Sequence, residues 1–255
     1  MTLFGAYARD GQPAWSGGLV TLLSQLGFSA GAARMALNRV VDRGLLERQR
    51  DGRLISYMPT PRLLELIEVG DRRLEMLRRP PAWDGTWTLV WYSIPDELRR
   101  ERHRLGRRLR FLGFGPLEDS TWVGPRDQRE EVVPFLERLG LQDLAGVFVG
   151  QHAVEPDAIV ARAWLCDELV LRYELFVSEF GPLAGASLDG EAAFRAHAMM
   201  TNTFRRFPYL DPGLPQSLFP AADPRRAAAK LYHEVSQRLV AAARRHFDAA
   251  TKRLD

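Results

Sequence analysis

The chain has 255 residues, enough for two or three domains or one large one. Its hydrophobic (46%) and charged (26%) fractions are those of a soluble globular protein. No apolar run reaches the roughly 18 to 20 residues of a membrane helix, and no signal peptide opens the sequence, so a cytoplasmic protein with no membrane partner is expected. The single cysteine, Cys166, rules out an internal disulfide and a cysteine-rich metal site; it reads as a small buried apolar residue. The net charge of +3 is unevenly spread: residues 1–80 hold 12 basic against 8 acidic side chains, residues 81–150 hold 10 against 11, and residues 151–255 hold 13 against 13. A basic excess confined to one segment is the electrostatic footprint of nucleic-acid binding, though an excess of four also fits an ordinary solvated surface.

Residues 1–60 read as a winged helix-turn-helix. Leu3, Phe4 and Tyr7 have helical spacing, and Gly11 to Pro13 break the chain before a short strand at Ala14-Trp15. Ser16 is placed to cap a second helix with Leu19, Leu22, Leu23 and Leu26 inward, and Gly27 ends it. Ser29 caps a third helix whose core face is Ala33, Leu37, Val40 and Val41. Arg34, Met35, Asn38 and Arg39 lie on its other side, the layout of a recognition helix that meets base edges in the major groove. Taken alone, that helix fits a plain surface helix with solvated arginines equally well.

The segment LLERQRDGRLISYMP adds a hairpin. Asp51-Gly52 reads as the two-residue turn, a register that sets Arg50 against Arg53 and Arg48 against Ile55. Like charges across a ladder repel, and phosphates would neutralise them. Helix and hairpin together point to double-stranded DNA, read by Ser29, Arg34, Met35, Asn38 and Arg39, with Arg48, Arg50 and Arg53 on the backbone.

A linker helix is expected over residues 61–80, with a single apolar stripe of Leu63, Ile67, Leu74 and Leu77, ended by Pro80-Pro81. Residues 81–153 alternate strands and helices. TWTLVWYSIP is a strand; residues 97–112 form a basic amphipathic helix with Leu98, Leu105, Leu109 and Leu112 inward. FGPLEDSTWVGP holds one or two strands, residues 127–139 a second helix and AGVFVGQHAV a last strand. That order is the one found in a ferredoxin-like sandwich. Residues 154–255 read as helical, with one stripe of Leu165, Leu169, Tyr173, Phe176 and Phe180 and a second of Phe194, His197, Met200, Phe204 and Phe207. His197 reads as a hydrogen-bonded core histidine. The non-helical stretch 204–220 is rich in proline and aromatics. Arg205, Arg206 and Tyr209 are tentative effector contacts there, weighed against a structural strap with salt-bridged arginines. Asp223-Pro224 opens a final helix with Leu231, Val235 and Leu239 inward.

The run WYSIPDELRRERHRLGRRLRFLGFGPLEDSTWVGP resembles the small CRISPR-associated nuclease fold. That family keeps an acidic metal ligand at the end of its first strand; Ser93 stands there, with Asp96 just beyond. The resemblance therefore implies a retained fold without the nuclease site, serving dimerisation. Four runs in order are similar to the phenylacetic acid catabolism repressor (PaaX) family: LFGAYARD, ARMALNRVVDRGLLERQR, WDGTWTLVWYSIPD with LRFLGFGPLEDSTWVGP, and RRFPYLDPGLPQSLFP. A departure is AADPRRAAA at 221–229, where members often carry a Trp-Gly motif, which bears on the identity of the effector. The resemblance implies a homodimeric repressor on an inverted-repeat operator of an aromatic-acid (phenylacetate-type) catabolic operon. It also implies release by an aryl-CoA thioester such as phenylacetyl-CoA, with no catalytic residue, metal or cofactor. Two alternatives stand beside it: a metal-dependent nuclease acting through Ser93 and Asp96, which Mg²⁺-dependent cleavage lost in Asp96→Ala would reveal, and a ligand-independent DNA-binding regulator, which no CoA thioester would stabilise. The expected fold class is α+β and multidomain, in segments 1–60, 61–80, 81–153 and 154–255.

Overall fold

The computed structural model describes residues 1–9, 11–78, 82–151, 155–220 and 223–252, with backbone alone at 77 and 78. The fold is a multidomain α+β one. The expected Pro80-Pro81 break, the Leu77 side chain, the end of the last strand at 152–154 and Ala221-Ala222 lie outside the described residues. The chain forms two compact units, one of Met1–Leu74, Leu175–Arg206 and Ala227–Asp255, the other of Glu75–Glu174 and Phe207–Arg226. These cut across the expected segments: the 61–80 helix is shared, and the 154–255 region is divided between the two.

In the first unit, α1 (Thr2–Tyr7), β1 (Ala14–Trp15), α2 (Ser16–Gln25), α3 (Ala30–Asp42), β2 (Leu46–Asp51), β3 (Leu54–Pro59) and α4 (Pro61–Arg78) follow in order. The strands make an antiparallel sheet in the order β1-β3-β2. Ser16 is the first residue of α2 rather than its cap; Trp15 holds the cap position without a side-chain bond, because strand pairing has fixed the backbone one residue earlier. Gly27 takes φ 91° after the helix, and its N–H reaches the Ser24 carbonyl. The Ser29 hydroxyl does cap α3, accepting from the Ala32 N–H at 3.2 Å.

The core of this unit is not supplied by the first sixty residues alone. Leu3, Phe4, Tyr7, Leu19, Leu22, Leu37, Leu46, Tyr57, Leu63 and Ile67 pack with Phe194 and Ala198 of α9 (Gly190–Phe204) and with Ala243 and Phe247 of α11 (Arg225–Thr251). Gly18 of α2 sits so close to α11 that a β-carbon there would run into the Ala250 carbonyl. Tyr7 stacks on Phe247 with ring centroids 5.2 Å apart, and its hydroxyl meets His197 Nδ1 at 2.6 Å. Asp71 of α4 binds Arg9 at 2.6 Å and Arg205 at 2.7 Å, tying α4 to the end of α9.

In the second unit, β4 (Thr86–Tyr92), α5 (Arg99–Phe111), β5 (Gly115–Glu118), β6 (Thr121–Gly124), α6 (Arg129–Leu139) and β7 (Ala145–Gln151) build an antiparallel sheet in the order β5-β6-β4-β7. That is the ferredoxin-like order, and Val90, Tyr92, Leu105, Leu109, Trp122, Val132 and Leu136 fill the space between sheet and helices. Thr88 pins the turn into α6: its hydroxyl donates to the Arg126 carbonyl at 2.7 Å and accepts from the Gln128 N–H at 2.9 Å. α7 (Pro156–Ala163) and α8 (Cys166–Phe180) follow. Residue Leu165, expected on the inward stripe of α8, is instead 77% exposed, since it precedes the helix and points away from that face. The stretch 204–220 is more helical than expected, with α9 running through Phe204, a short α10 (Phe207–Leu210) and a 3₁₀ turn at Gln216–Leu218.

A buried ionic cluster braces that stretch. Arg225, 2% exposed, binds both Asp223 oxygens at 2.8 and 2.9 Å and the Leu214 carbonyl at 2.8 Å. Asp211, 1% exposed, accepts from the Tyr173 hydroxyl at 2.8 Å and the Gly213 N–H at 2.7 Å, with the Arg225 guanidinium 4.0 Å away. Burial pushes the Asp211 carboxyl above its usual range, and Arg225 opposes that shift. Asp223 accepts the Arg225 N–H at 3.1 Å, the expected start of α11.

Candidate nucleic-acid interface

α3 is amphipathic at the spacing the sequence indicates. Ala33 and Leu37 are buried, and Val40 and Val41 pack at the edge of the core. Ser29, Arg34, Met35, Asn38 and Arg39 are all exposed. Arg34 and Arg39 have no carboxylate partner among the described residues, so both guanidinium groups are available to an outside anion or base edge. Gly44, at φ 66°, turns the chain out of the helix and into β2, a conformation that a side chain would strain.

The hairpin register differs from expectation by one step. Asp51 pairs with Leu54, Arg50 with Ile55 and Arg48 with Tyr57, so the loop is Gly52-Arg53. Gly52 has φ 58° and Arg53 does not enter the left-handed region, the sign pattern of a type II′ turn, which puts glycine at its first central position. Tertiary pairing decides this: β3 must present Tyr57 to the core and Ser56 to Trp15 of β1. No arginine therefore faces another across the ladder. Arg48, Arg50 and Arg53 remain exposed around the tip, and Arg50 Nε steadies the turn by donating to the Gly52 carbonyl at 3.0 Å.

The three tentative effector residues are not equivalent. Arg205 is largely buried, and its guanidinium is taken by Asp71. Arg206 is exposed at the end of the first unit, whereas Tyr209 belongs to the second unit and is 66% exposed. His197 is a core residue, and burial pushes its pKa down to about 4. Cys166 is buried, and burial raises its thiol pKa, which disfavours the nucleophilic thiolate. At the end of β4, Ser93 donates its backbone N–H to the Leu144 carbonyl, and Asp96 is held by Arg102 at 2.8 Å. Among the described residues no group of three or more His, Cys, Asp or Glu side chains is placed to hold a metal.

A helix-and-hairpin module, a ferredoxin-like middle and a helical C-terminal region follow one another along the chain. The chain belongs to the PaaX family. Its residues 1–62 match the profile described as PaaX-like protein, residues 80–160 the PaaX protein central Cas2-like domain, and residues 164–249 the PaaX-like protein C-terminal domain. At family level this makes it a PaaX-type transcriptional regulator. Among solved structures, the uncharacterized protein Rv0674 from Mycobacterium tuberculosis is similar at 25% identity and a TM-score of 0.59, over 98% of this chain and 95% of that one. A comparison with curated proteins finds no match. No described helix is long and apolar enough to cross a membrane.

Proposed function

We propose that the chain is a homodimeric, cytoplasmic repressor of a phenylacetate-type catabolic operon. In this reading α3 enters the major groove and the β2–β3 wing lies on the phosphates. One observation carries it: Arg34, Met35, Asn38 and Arg39 of α3 and Arg48, Arg50 and Arg53 of the wing are exposed together, on elements fixed from behind by one core. Arg34 and Arg39 suit guanine edges or phosphates, and Asn38 suits adenine. Two copies related by a two-fold axis would read half-sites about one helical turn apart, hence an inverted repeat.

An aryl-CoA thioester such as phenylacetyl-CoA would release the operator by binding the DNA-free state more tightly. A hundredfold loss of operator affinity requires about 2.7 kcal/mol of such coupling. The test is selection of bound duplexes by the purified chain, followed by titrations of two variants. Arg39→Ala weakens binding by about 1 to 3 kcal/mol and relaxes base preference, whereas Arg50→Ala weakens all sequences alike and lowers the salt slope by about one. Unchanged affinity in both variants refutes this surface as the DNA reader.

A further inference from the structure

The second unit carries a feature that DNA reading by α3 leaves unused. Within α5, residues 99–110 contain seven arginines and one acidic residue, Glu101. Three of the arginines make contacts: Arg102 with Asp96 and the Ile94 carbonyl, Arg108 over the Phe111 and Phe135 rings, and Arg110 over the Trp122 ring. Arg100, His103, Arg104, Arg107 and Arg110 share the exposed face opposite Leu105 and Leu109, and its arginines have no carboxylate partner among the described residues. From Arg100 to Arg110 that face runs about 15 Å at the rise of an α-helix. Like charges at this spacing repel and destabilise a bare helix, so a row of four arginines with no carboxylate beside them suits a bound polyanion.

The row ends at a cleft. Arg110, its guanidinium stacked 5.0 Å over the Trp122 ring, lines a cavity of about 310 Å³. Trp164, Leu165, Tyr209 and Leu210 line the same cavity. Leu165 and Tyr209, at 77% and 66%, are more exposed than any other large apolar side chain of the described residues. Single exposed apolar residues are ordinary, but several converging on one concave site mark a place for an apolar group. The walls are firmly built. Gly113 allows the backbone to touch the Pro212 carbonyl, Gly115 does the same for Ala163, and Trp164 Nε1 donates to the Gly113 carbonyl at 3.2 Å. Asp211, at the back, is held by the buried Arg225 cluster. Its charge and that of Glu168, which pairs with Arg172, are therefore answered internally, leaving Arg110 as the cation open to a ligand.

We infer that the α5 arginine face and the cleft at its end form one site for an acyl thioester of a phosphate-bearing nucleotide carrier. The phosphates lie along Arg100, Arg104 and Arg107, and the aromatic acyl group sits against Leu165 and Tyr209. A nucleic-acid backbone would match the arginines but would leave the apolar end without a role. This placement rests on the effector reading proposed above, and one calorimetric titration series of the full chain separates the two. Wild type binds phenylacetyl-CoA more tightly than free CoA, and free CoA more tightly than phenylacetate. Combined Arg104→Gln, Arg107→Gln and Arg110→Gln substitutions weaken phenylacetyl-CoA and CoA alike, by at least about tenfold. Leu165→Asp weakens phenylacetyl-CoA to the affinity of free CoA and leaves free CoA unchanged. All four side chains are exposed, and unchanged circular dichroism confirms folding of the variants. Phenylacetyl-CoA affinity unaltered in both variants overturns the site while the effector reading stands; no binding of phenylacetyl-CoA to wild type overturns both. Loss of duplex-DNA affinity in the triple variant with thioester binding intact overturns the site in favour of a nucleic-acid track.

Discussion

His197 makes the first unit sensitive to acid in a calculable way. Its ring is buried, its Nδ1 shares a 2.6 Å hydrogen bond with the Tyr7 hydroxyl, and burial is the cause of a pKa near 4 against an ordinary 6.5. The folded protein thus holds His197 neutral while the unfolded chain protonates it. Between pH 6.5 and 4 the unfolded state binds more protons, so stability is fully present above 6.5, falls as pH drops through this window and levels off below 4. A shift of 2.5 pKa units, the difference between 6.5 and 4, corresponds to about 3 kcal/mol. In His197→Gln the amide oxygen can still accept from Tyr7, but nothing titrates. Urea midpoints measured from pH 7 to 4 are the assay. Wild type starts more stable than His197→Gln, and its advantage shrinks by about 3 kcal/mol as pH falls. Parallel pH profiles for the two proteins would refute the assignment of a neutral, desolvated histidine.

Two further outcomes follow from the second unit. Gly113 has φ 90° and no room for a β-carbon beside Pro212, so Gly113→Ala costs about 2 to 5 kcal/mol in chemical denaturation, from backbone strain and overpacking together. Arg225→Met strips the buried Asp211 and the partly buried Asp223 of their cation and lowers stability by about 3 to 5 kcal/mol; adding Asp211→Asn recovers part of that loss, and equal stability of single and double variants would show that Asp211 carries no buried charge.

Much of the architecture is legible in the sequence because it rests on local signals. The Ser29 cap, the Leu105/Leu109 stripe and the glycines after α2 and α3 are each set by a few neighbouring residues. The hairpin shows where that stops. Asp51-Gly52 is a sound turn signal, yet the register is set by Tyr57 and Ser56 pairing elsewhere, and that moved the loop one residue on. Leu165 shows the same limit: periodicity places it on the stripe of α8, but the helix starts one residue later. The packing of α9 and α11 behind α1 and α2 spans sequence separations from 190 residues (Tyr7–His197) to 240 (Tyr7–Phe247), which no window reveals. Its one local trace is Gly17-Gly18 inside a helix, a costly choice that signals a close backbone approach. The exposure of the candidate interface residues follows from the helical spacing of α3, but the engagement of Arg205 by Asp71 and the exposure of Tyr209 beside Arg110 depend on the tertiary fold.

The shared core of the first unit has a consequence for the order in which the protein is made. Leu19, Leu22 and Tyr7 emerge from the ribosome early, whereas Ala243 and Phe247, which cover them, are synthesised over two hundred residues later. At about 5 to 20 residues per second that is a delay of roughly 10 to 40 s. Throughout it the nascent helix-and-hairpin module lacks part of its apolar cover, and its contacts of longest sequence separation form last. The complete core of this module is thus withheld until nearly the whole chain has been translated.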